Sequence, residues 1–365
     1  MDDSTTRRGF LKTASTAAAG TLATGVGGRF LSAGGSKSAL PQLPQRSLGK
    51  TGVKVGILGV SGDGILSDSG DEDAVLRFLT YAVDGGINYF DTAYLYRRNG
   101  RCEKNLGLLM GTPRRKGLFV ATKTRARMYD TAMKQVEISL RRLRVDQLDL
   151  IQVHHVSARD DVRRFGKRTG VLAALRKLRD QKVVRFIGIT GHPDAPQVKQ
   201  ALEMYEWDTF MCYVNAAKFS QPALKEQLPA ARKKQCGIIA MKVFGGRPGR
   251  LVGRRKGKAG AALLLRFALG RPIAVAIVGM ASQRQLIENL QIARNFKPLR
   301  AVFINHVASI GWRGSHPAGA LRPLTGRDRV PPRAYYDGIF EKRSSEQETR
   351  DLYRRINSGA KAWRR

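Results

Sequence analysis

Eight short apolar runs recur along this chain, and the stretch between each pair is long enough for a helix. No other feature of the sequence restricts the fold as much. The runs are "ILGV" (57–60), "INYFD" (87–91), "LFVATK" (118–123), "LDLIQVHH" (148–155), "VVRFIGIT" (183–190), "DTFMCYV" (208–214), "GIIAMKV" (237–243) and "IAVAIVG" (273–279). Between them lie helical patterns such as "EDAVLRFLTYAVDGG" with its glycine stop, "TAMKQVEISLRRLR", "GVLAALRKLRD" and "SQRQLIENLQIAR". A hairpin is expected before the first run, around "RSLGKTGVKVG". Eight strands alternating with helices over about 250 residues predict an α/β chain folded as a (β/α)8 TIM barrel. A doubly wound open sheet is the rival, but the glycine-rich dinucleotide fingerprint after a first strand is absent. "GKTG" at Gly49 is no phosphate loop, because Pro44 stands where the earlier glycine would be needed.

Charge raises a different possibility. The 65 Lys and Arg against 29 Asp and Glu give a formal net charge of +36, which would attract a phosphate backbone. The cations are scattered over the whole length without a nucleic-acid-binding motif, so nucleic acid is not the expected partner. Cys102, Cys212 and Cys236 are too few and too widely spaced for a metal or iron–sulfur framework, so no iron–sulfur cluster is expected.

The first forty residues form a separate segment. Thr6-Arg7-Arg8-Gly9-Phe10-Leu11-Lys12 followed by a weakly apolar Ala/Gly/Thr stretch resembles a twin-arginine export signal. That resemblance implies engagement with the twin-arginine export machinery and a periplasmic or extracytoplasmic location. No apolar run is long enough for a transmembrane helix, so no span is expected in the mature protein. Residues 300–365 depart from the barrel pattern and read as a basic extension, partly helical or disordered.

In a barrel of this kind the chemistry lies at the C-terminal strand ends. The second strand ends in Asp91 with Tyr96 just beyond, the third in Lys123, and the fourth in His154 and His155. Singly, each has an ordinary structural role: a helix cap, a half-buried aromatic, a solvated strand end, a core histidine. On three successive strand ends they make a set suited to carbonyl reduction. An ammonium at Lys123 stabilises a phenolate and so tunes Tyr96 as proton donor, while Asp91 keeps the ammonium charged and in place. The His154 imidazole can donate to a carbonyl oxygen as negative charge develops on it.

The set, over roughly 46–299, resembles the aldo/keto reductase superfamily. The residues that carry the resemblance are Asp91-Thr92-Ala93-Tyr94-Leu95-Tyr96, "FVATK" with Lys123, "LDLIQVH" with His154, "CEKNLG" (102–107), "VVRFIGIT" and "AIVGMASQRQLIENL". The resemblance implies a catalytic tetrad of Asp91, Tyr96, Lys123 and His154 acting with NADP, or NAD, on a small aldehyde or ketone. It also implies cofactor contacts from Thr190, Asn215, Met241, Gly279, Ser282, Gln285, Glu288 and Asn289, with no metal.

Several positions depart from the family pattern. Thr190-Gly191 stands for a Ser-Asn pair, Met211 for a Gln, and Met241 for the tyrosine that stacks on the nicotinamide. Gln285 replaces an arginine that often reads the 2′-phosphate, with Arg284 one place away, and His155 replaces a common Trp. The alternative function is a nucleotide-binding barrel with a regulatory role and little turnover.

Overall fold

A computed structural model describes residues 42–217, 220–245 and 260–300. The expected export signal (1–40) and the extension beyond residue 300 lie outside the described residues.

A short antiparallel hairpin, β1 (Gln45–Ser47) and β2 (Lys54–Gly56), precedes the barrel, with Arg46 opposite Val55. Eight parallel strands then close on themselves: β3 (Leu58–Gly64), β4 (Tyr89–Asp91), β5 (Phe119–Thr124), β6 (Leu148–Val156), β7 (Val184–Gly191), β8 (Thr209–Tyr213), β9 (Gly237–Met241) and β10 (Val275–Met280). Each predicted run contributes one of these strands, and the last pairs with the first. A helix follows every barrel strand: α1 (Glu72–Asp84), α2 (Arg101–Met110), α3 (Tyr129–Leu143), α4 (Val171–Asp180), α5 (Pro196–Met204), α6 (Leu228–Lys233), α7 (Ala261–Leu269) and α8 (Gln283–Arg294). The (β/α)8 barrel expected from the sequence is the observed fold.

Local signals fix the helix ends. Asp71 caps α1 by accepting from the Ala74 amide at 2.9 Å, and Glu72 and Asp73 place negative charge in the first turn, where the helix dipole favours it. Ser282 caps α8 by accepting from the Gln285 amide at 3.4 Å. Outside the strands, the buried apolar faces of the helices pack into one large core. Inside them a second core, including Tyr89, Phe119, Leu150, Met211, Ile239 and Val275, plugs the barrel. Tyr89 and Phe119 stack with ring centroids 5.2 Å apart. Apolar side chains thus fill the interior below the strand ends.

Strand register explains which residues reach the barrel mouth. Asp91 is paired with Ala121 and Lys123 with Gln152, so inward-facing positions step up by two residues from strand to strand. Asp91, Lys123, Gln152 and His154 follow this inward series. The β6–β7 register then shifts between Val153 and Val156, where His155 adopts a left-handed backbone with φ of 56°. A bulge of this kind re-aims side chains at a strand end. No helix among the described residues is long and apolar enough to cross a membrane.

Candidate active site

Four side chains predicted from strand ends meet at the barrel mouth. The Lys123 ammonium is buried and bonds to the Asp91 carboxylate, to the Thr92 carbonyl at 2.7 Å and to the Tyr96 hydroxyl at 3.4 Å. It also lies 4.8 Å from the Tyr96 ring centroid. The Tyr96 and His154 rings meet edge to face, with centroids 5.6 Å apart. Asp91 and Lys123 are at most 1% exposed, so their pairing is almost unscreened by solvent. Gly62 makes room for this arrangement, because a Cβ there would collide with the Tyr96 ring.

Burial and charge act against each other in this cluster. Burial disfavours the Lys123 ammonium, but Asp91 and Tyr96 outweigh it and hold the lysine above its ordinary value, so it stays charged. For Tyr96 the balance corrects the sequence argument. Burial of the hydroxyl pushes the phenol up, Lys123 pulls it down, and burial wins, leaving it above the usual tyrosine value. Lys123 thus limits the rise without producing a net fall, and Tyr96 keeps its proton at neutral pH. His154 is held well below the ordinary histidine value by burial, with Lys123 the next cause, so its imidazole is neutral at physiological pH. Its Nδ1 is buried without a protein partner.

Sequence reasoning missed Gln152, which donates to the other Asp91 oxygen at 3.3 Å and fixes the carboxylate from the far side. A signal for it exists in the sequence: it precedes His154 by two on one strand, and so shares its face. A row of rings along the mouth was missed as well. His155 lies 4.2 Å from His192 between centroids, and His192 lies 5.0 Å from Tyr213, with Tyr213 Oη and His192 Nε2 3.3 Å apart. Burial pushes Tyr213 up to about 12 and, as the leading cause, lowers both histidines, so this wall is uncharged at neutral pH.

The residues expected to hold a cofactor are more dispersed. Thr190 is buried on β7 and its Oγ1 accepts from the His155 amide at 2.8 Å, which leaves the hydroxyl proton free to donate. Asn215 donates one N–H to the Lys242 carbonyl at 2.9 Å and accepts from the Ala217 amide and the Ser220 hydroxyl at 2.9 and 2.7 Å. It shapes the loop after β8. Met241 is half-buried at the end of β9. Gly279 abuts Asp63, where a Cβ would not fit, and Asp63 in turn pairs with Lys242 at 3.2 Å across the mouth.

On α8, Gln285 accepts from the Ala281 amide at 2.8 Å, closing the first turn beside Ser282. Glu288 and Asn289 lie within the helix and not at its start, with Glu288 exposed and Asn289 buried. Asn289 donates to the Gln285 carbonyl at 2.8 Å, while its Oδ1 is buried with no partner. The unpartnered Asn289 Oδ1 acceptor and the Thr190 hydroxyl proton are hydrogen-bonding capacity that a bound nucleotide would use, and the neutral His154 ring carries one N–H that can donate to a carbonyl. The residues present therefore fit a nicotinamide dinucleotide. Among the described residues no group of His, Cys, Asp and Glu is arranged to hold a metal ion. All three cysteines are buried free thiols, with burial pushing their pKa values up to between about 11 and about 12.

Residues 57–258 match the model of the aldo/keto reductase family. The chain belongs to that family. It is 30% identical over 224 residues to an uncharacterised oxidoreductase, YrpG, of Bacillus subtilis, covering 54% of this chain and 66% of that protein. It is 28% identical over 218 residues to L-galactose dehydrogenase of Arabidopsis thaliana, covering 55% and 65%. The curated relatives are matched over about half to two thirds of their own length. The holo form of aldo-keto reductase AKR11C1 from Bacillus halodurans superposes with a TM-score of 0.61 at 22% identity, over 74% of this chain and 96% of that one, and shows the same fold.

Proposed function

We propose that this protein is an NAD(P)H-dependent oxidoreductase that interconverts a small aldehyde or ketone and its alcohol, with Tyr96 as the proton donor to the carbonyl oxygen. The observation that carries this reading is the buried Lys123 ammonium held by Asp91 and directed at the Tyr96 hydroxyl, with the neutral His154 ring edge-on beside it. The bound nicotinamide supplies or accepts the hydride. The chain's own residues do the rest. Tyr96 delivers a proton to the oxygen as charge develops, Lys123 limits the cost of the resulting phenolate, Asp91 and Gln152 hold the ammonium in line, and His154 donates a hydrogen bond that orients the carbonyl.

Thr190, Met241, Gly279, Ser282, Gln285, Glu288 and Asn289 are the residues we assign to the cofactor, with Asn215 shaping the adjoining loop. NADP is the preferred form, with Arg284, next to Gln285 in sequence, as the cation we assign to a 2′-phosphate. Relatives named for L-galactose and D-threo-aldose dehydrogenation support a hydroxylated carbonyl substrate.

Purified protein incubated with NADPH or NADH and a panel of aldehydes and ketones, sugars included, tests the reading. Substrate-dependent cofactor oxidation that disappears in Tyr96→Phe is expected. A wild type that binds cofactor and turns over no carbonyl would favour a nucleotide-binding barrel instead.

We also propose export by the twin-arginine route, supported by Arg7-Arg8 in their "TTRRGFLK" context. The receptor reads the guanidinium pair, so an Arg7→Lys/Arg8→Lys variant is expected to stay folded in the cytoplasm. Undiminished delivery of that variant would overturn the proposal.

A further inference from the structure

On the outer side of β5, back to back with the Asp91–Lys123 pair, lies an ion pair between a buried carboxylate and a partly buried guanidinium that the chemistry above does not use. Glu103, in the first turn of α2, is fully buried. Its Oε1 accepts from the Thr122 hydroxyl at 2.8 Å, and its Oε2 accepts from an Arg142 amino group at 3.1 Å. The same Arg142 nitrogen donates to the Tyr94 carbonyl at 3.2 Å, and its guanidinium lies 4.9 Å from the Tyr94 ring centroid. Thr122 adjoins Lys123 in sequence, and Tyr94 lies two residues before Tyr96. One carboxylate and one guanidinium thus join the strand that carries the ammonium to the turn that carries the phenol.

The surroundings are shaped to this pair. Gly100, in a left-handed conformation with φ of 65° at the start of α2, faces the Arg142 guanidinium, and a Cβ there would collide with it. Gly107, one helical stretch further on, touches the Arg142 carbonyl, again with no room for a Cβ. Two glycines therefore let α2 close onto Arg142 at the end of α3. The turn has other ties: the Thr92 amide donates to Ala121, the Tyr94 amide to the Lys123 carbonyl, and the Tyr96 amide to Ala93. Beyond these, the Tyr94 carbonyl is held from outside by Arg142.

We infer that Glu103 and Arg142 are positioning residues for proton delivery, holding the 92–96 turn so that the Tyr96 hydroxyl stays aligned with Lys123. The inference rests on the proposed carbonyl chemistry for its kinetic readout only. The Tyr96–Lys123 contact is 3.4 Å, at the outer limit of a hydrogen bond, so small drift of the turn would break it. Misplacement by about 1 Å costs about a hundredfold in rate where a reacting group must be aligned.

Removing one partner alone leaves a buried charge and threatens folding. The test is therefore the double variant Glu103→Gln/Arg142→Met, compared with Arg142→Lys and wild type. Hydrogen exchange of amides 92–97 is expected to quicken by about tenfold or more, with exchange in β6 unchanged. In the same variant kcat is expected to fall by about thirtyfold to a hundredfold with cofactor affinity within about threefold, and Arg142→Lys recovers most of both effects. If the double variant does not fold, Glu103→Gln, which keeps the side chain's shape but removes its charge and leaves Arg142 its partial solvent access, is expected to give the same pattern in weaker form.

Unchanged exchange at 92–97 overturns the inference, as does quickened exchange with wild-type kcat, or a loss that falls equally on kcat and cofactor binding. Absence of carbonyl turnover in wild type would count against the proposed function alone, because the exchange measurement still decides the positioning role.

Discussion

The two sides of the barrel mouth differ in what their polar groups bond to, although each keeps a buried polar atom without a partner, Gln152 Oε1 and His154 Nδ1 on one and Asn289 Oδ1 on the other. On the β4–β6 side, the buried Asp91, Lys123 and Gln152 and the half-buried Tyr96 bond to one another. On the β7–β10 side, Thr190 and Asn289 each keep an unused hydrogen-bonding function, Asn215 bonds within its own loop and to Lys242, and Glu288 is exposed. On the first side, the charged and polar side chains bond to one another, the arrangement on which the proposed proton transfer rests. On the second, the polar side chains bond chiefly to nearby backbone. Catalytic power and ligand selectivity should therefore respond to different substitutions.

The largest effect is expected at Tyr96. Tyr96→Phe should lower carbonyl reduction by about a hundredfold to ten-thousandfold while leaving cofactor binding nearly intact, because the hydroxyl acts only in the chemical step. Steady-state rates beside a fluorescence titration check this. Turnover within threefold of wild type would remove Tyr96 from the role of acid.

Lys123→Met comes next. It should impair reduction strongly and, by leaving Asp91 buried and unpaired, cost about 3–5 kcal/mol of stability. The Tyr96 phenol should rise further, since burial would then act without opposition. Adding Asp91→Asn should restore stability without activity. Coincident pH–rate profiles for wild type and Lys123→Met would break the tuning argument.

On the other side of the mouth, Thr190→Val or Asn289→Leu should weaken cofactor binding by about threefold to tenfold with kcat little changed, the scale of one hydrogen bond. A large kcat loss with unchanged affinity would erase the distinction between the two sides. With Gln285 in place of an arginine, the preference for NADPH over NADH should stay below about a thousandfold, as one charge-assisted contact contributes about 1.5–3 kcal/mol. Titration with both cofactors decides it.

The smallest effect concerns pH. His154 is held below the ordinary value of 6.5, so the folded state binds fewer protons than the unfolded chain between that lowered value and 6.5. Its contribution to stability is complete above about pH 6.5 and is lost as pH falls toward the lowered value. The melting temperature should drop over that window, and less steeply in His154→Gln. Equal slopes would show that the imidazole is not held neutral by burial.

Much of the β4–β6 side is legible in the amino-acid sequence. Strand periodicity places a residue on a face, and Asp91, Lys123 and His154 close runs whose apolar character is unmistakable. Tyr96 follows Asp91 by five residues, so its proximity is a local fact. Gln152 is legible by the same alternation, though a buried amide announces itself less clearly than the histidines beside it.

Other features were hidden for one reason: they depend on neighbours far along the chain. The sign of the Tyr96 shift rests on how deeply the mouth encloses the hydroxyl. The bulge at His155 rests on β6–β7 register. Asn215 aligns with a cofactor residue in sequence, yet Ala217 and Ser220 take its amide oxygen and the Lys242 carbonyl takes one of its N–H groups.

The amino-acid sequence by itself determined the eightfold alternation, the strand-end chemistry and the helix caps, because those are set by residue spacing and by each side chain's own hydrogen-bonding habits. Tertiary structure alone decided the protonation balance in the mouth, the row of rings from His155 to Tyr213, and the Glu103–Arg142 tie behind the Tyr96 turn. Burial and long-range pairing exist only once distant strands and helices have closed around the same few side chains.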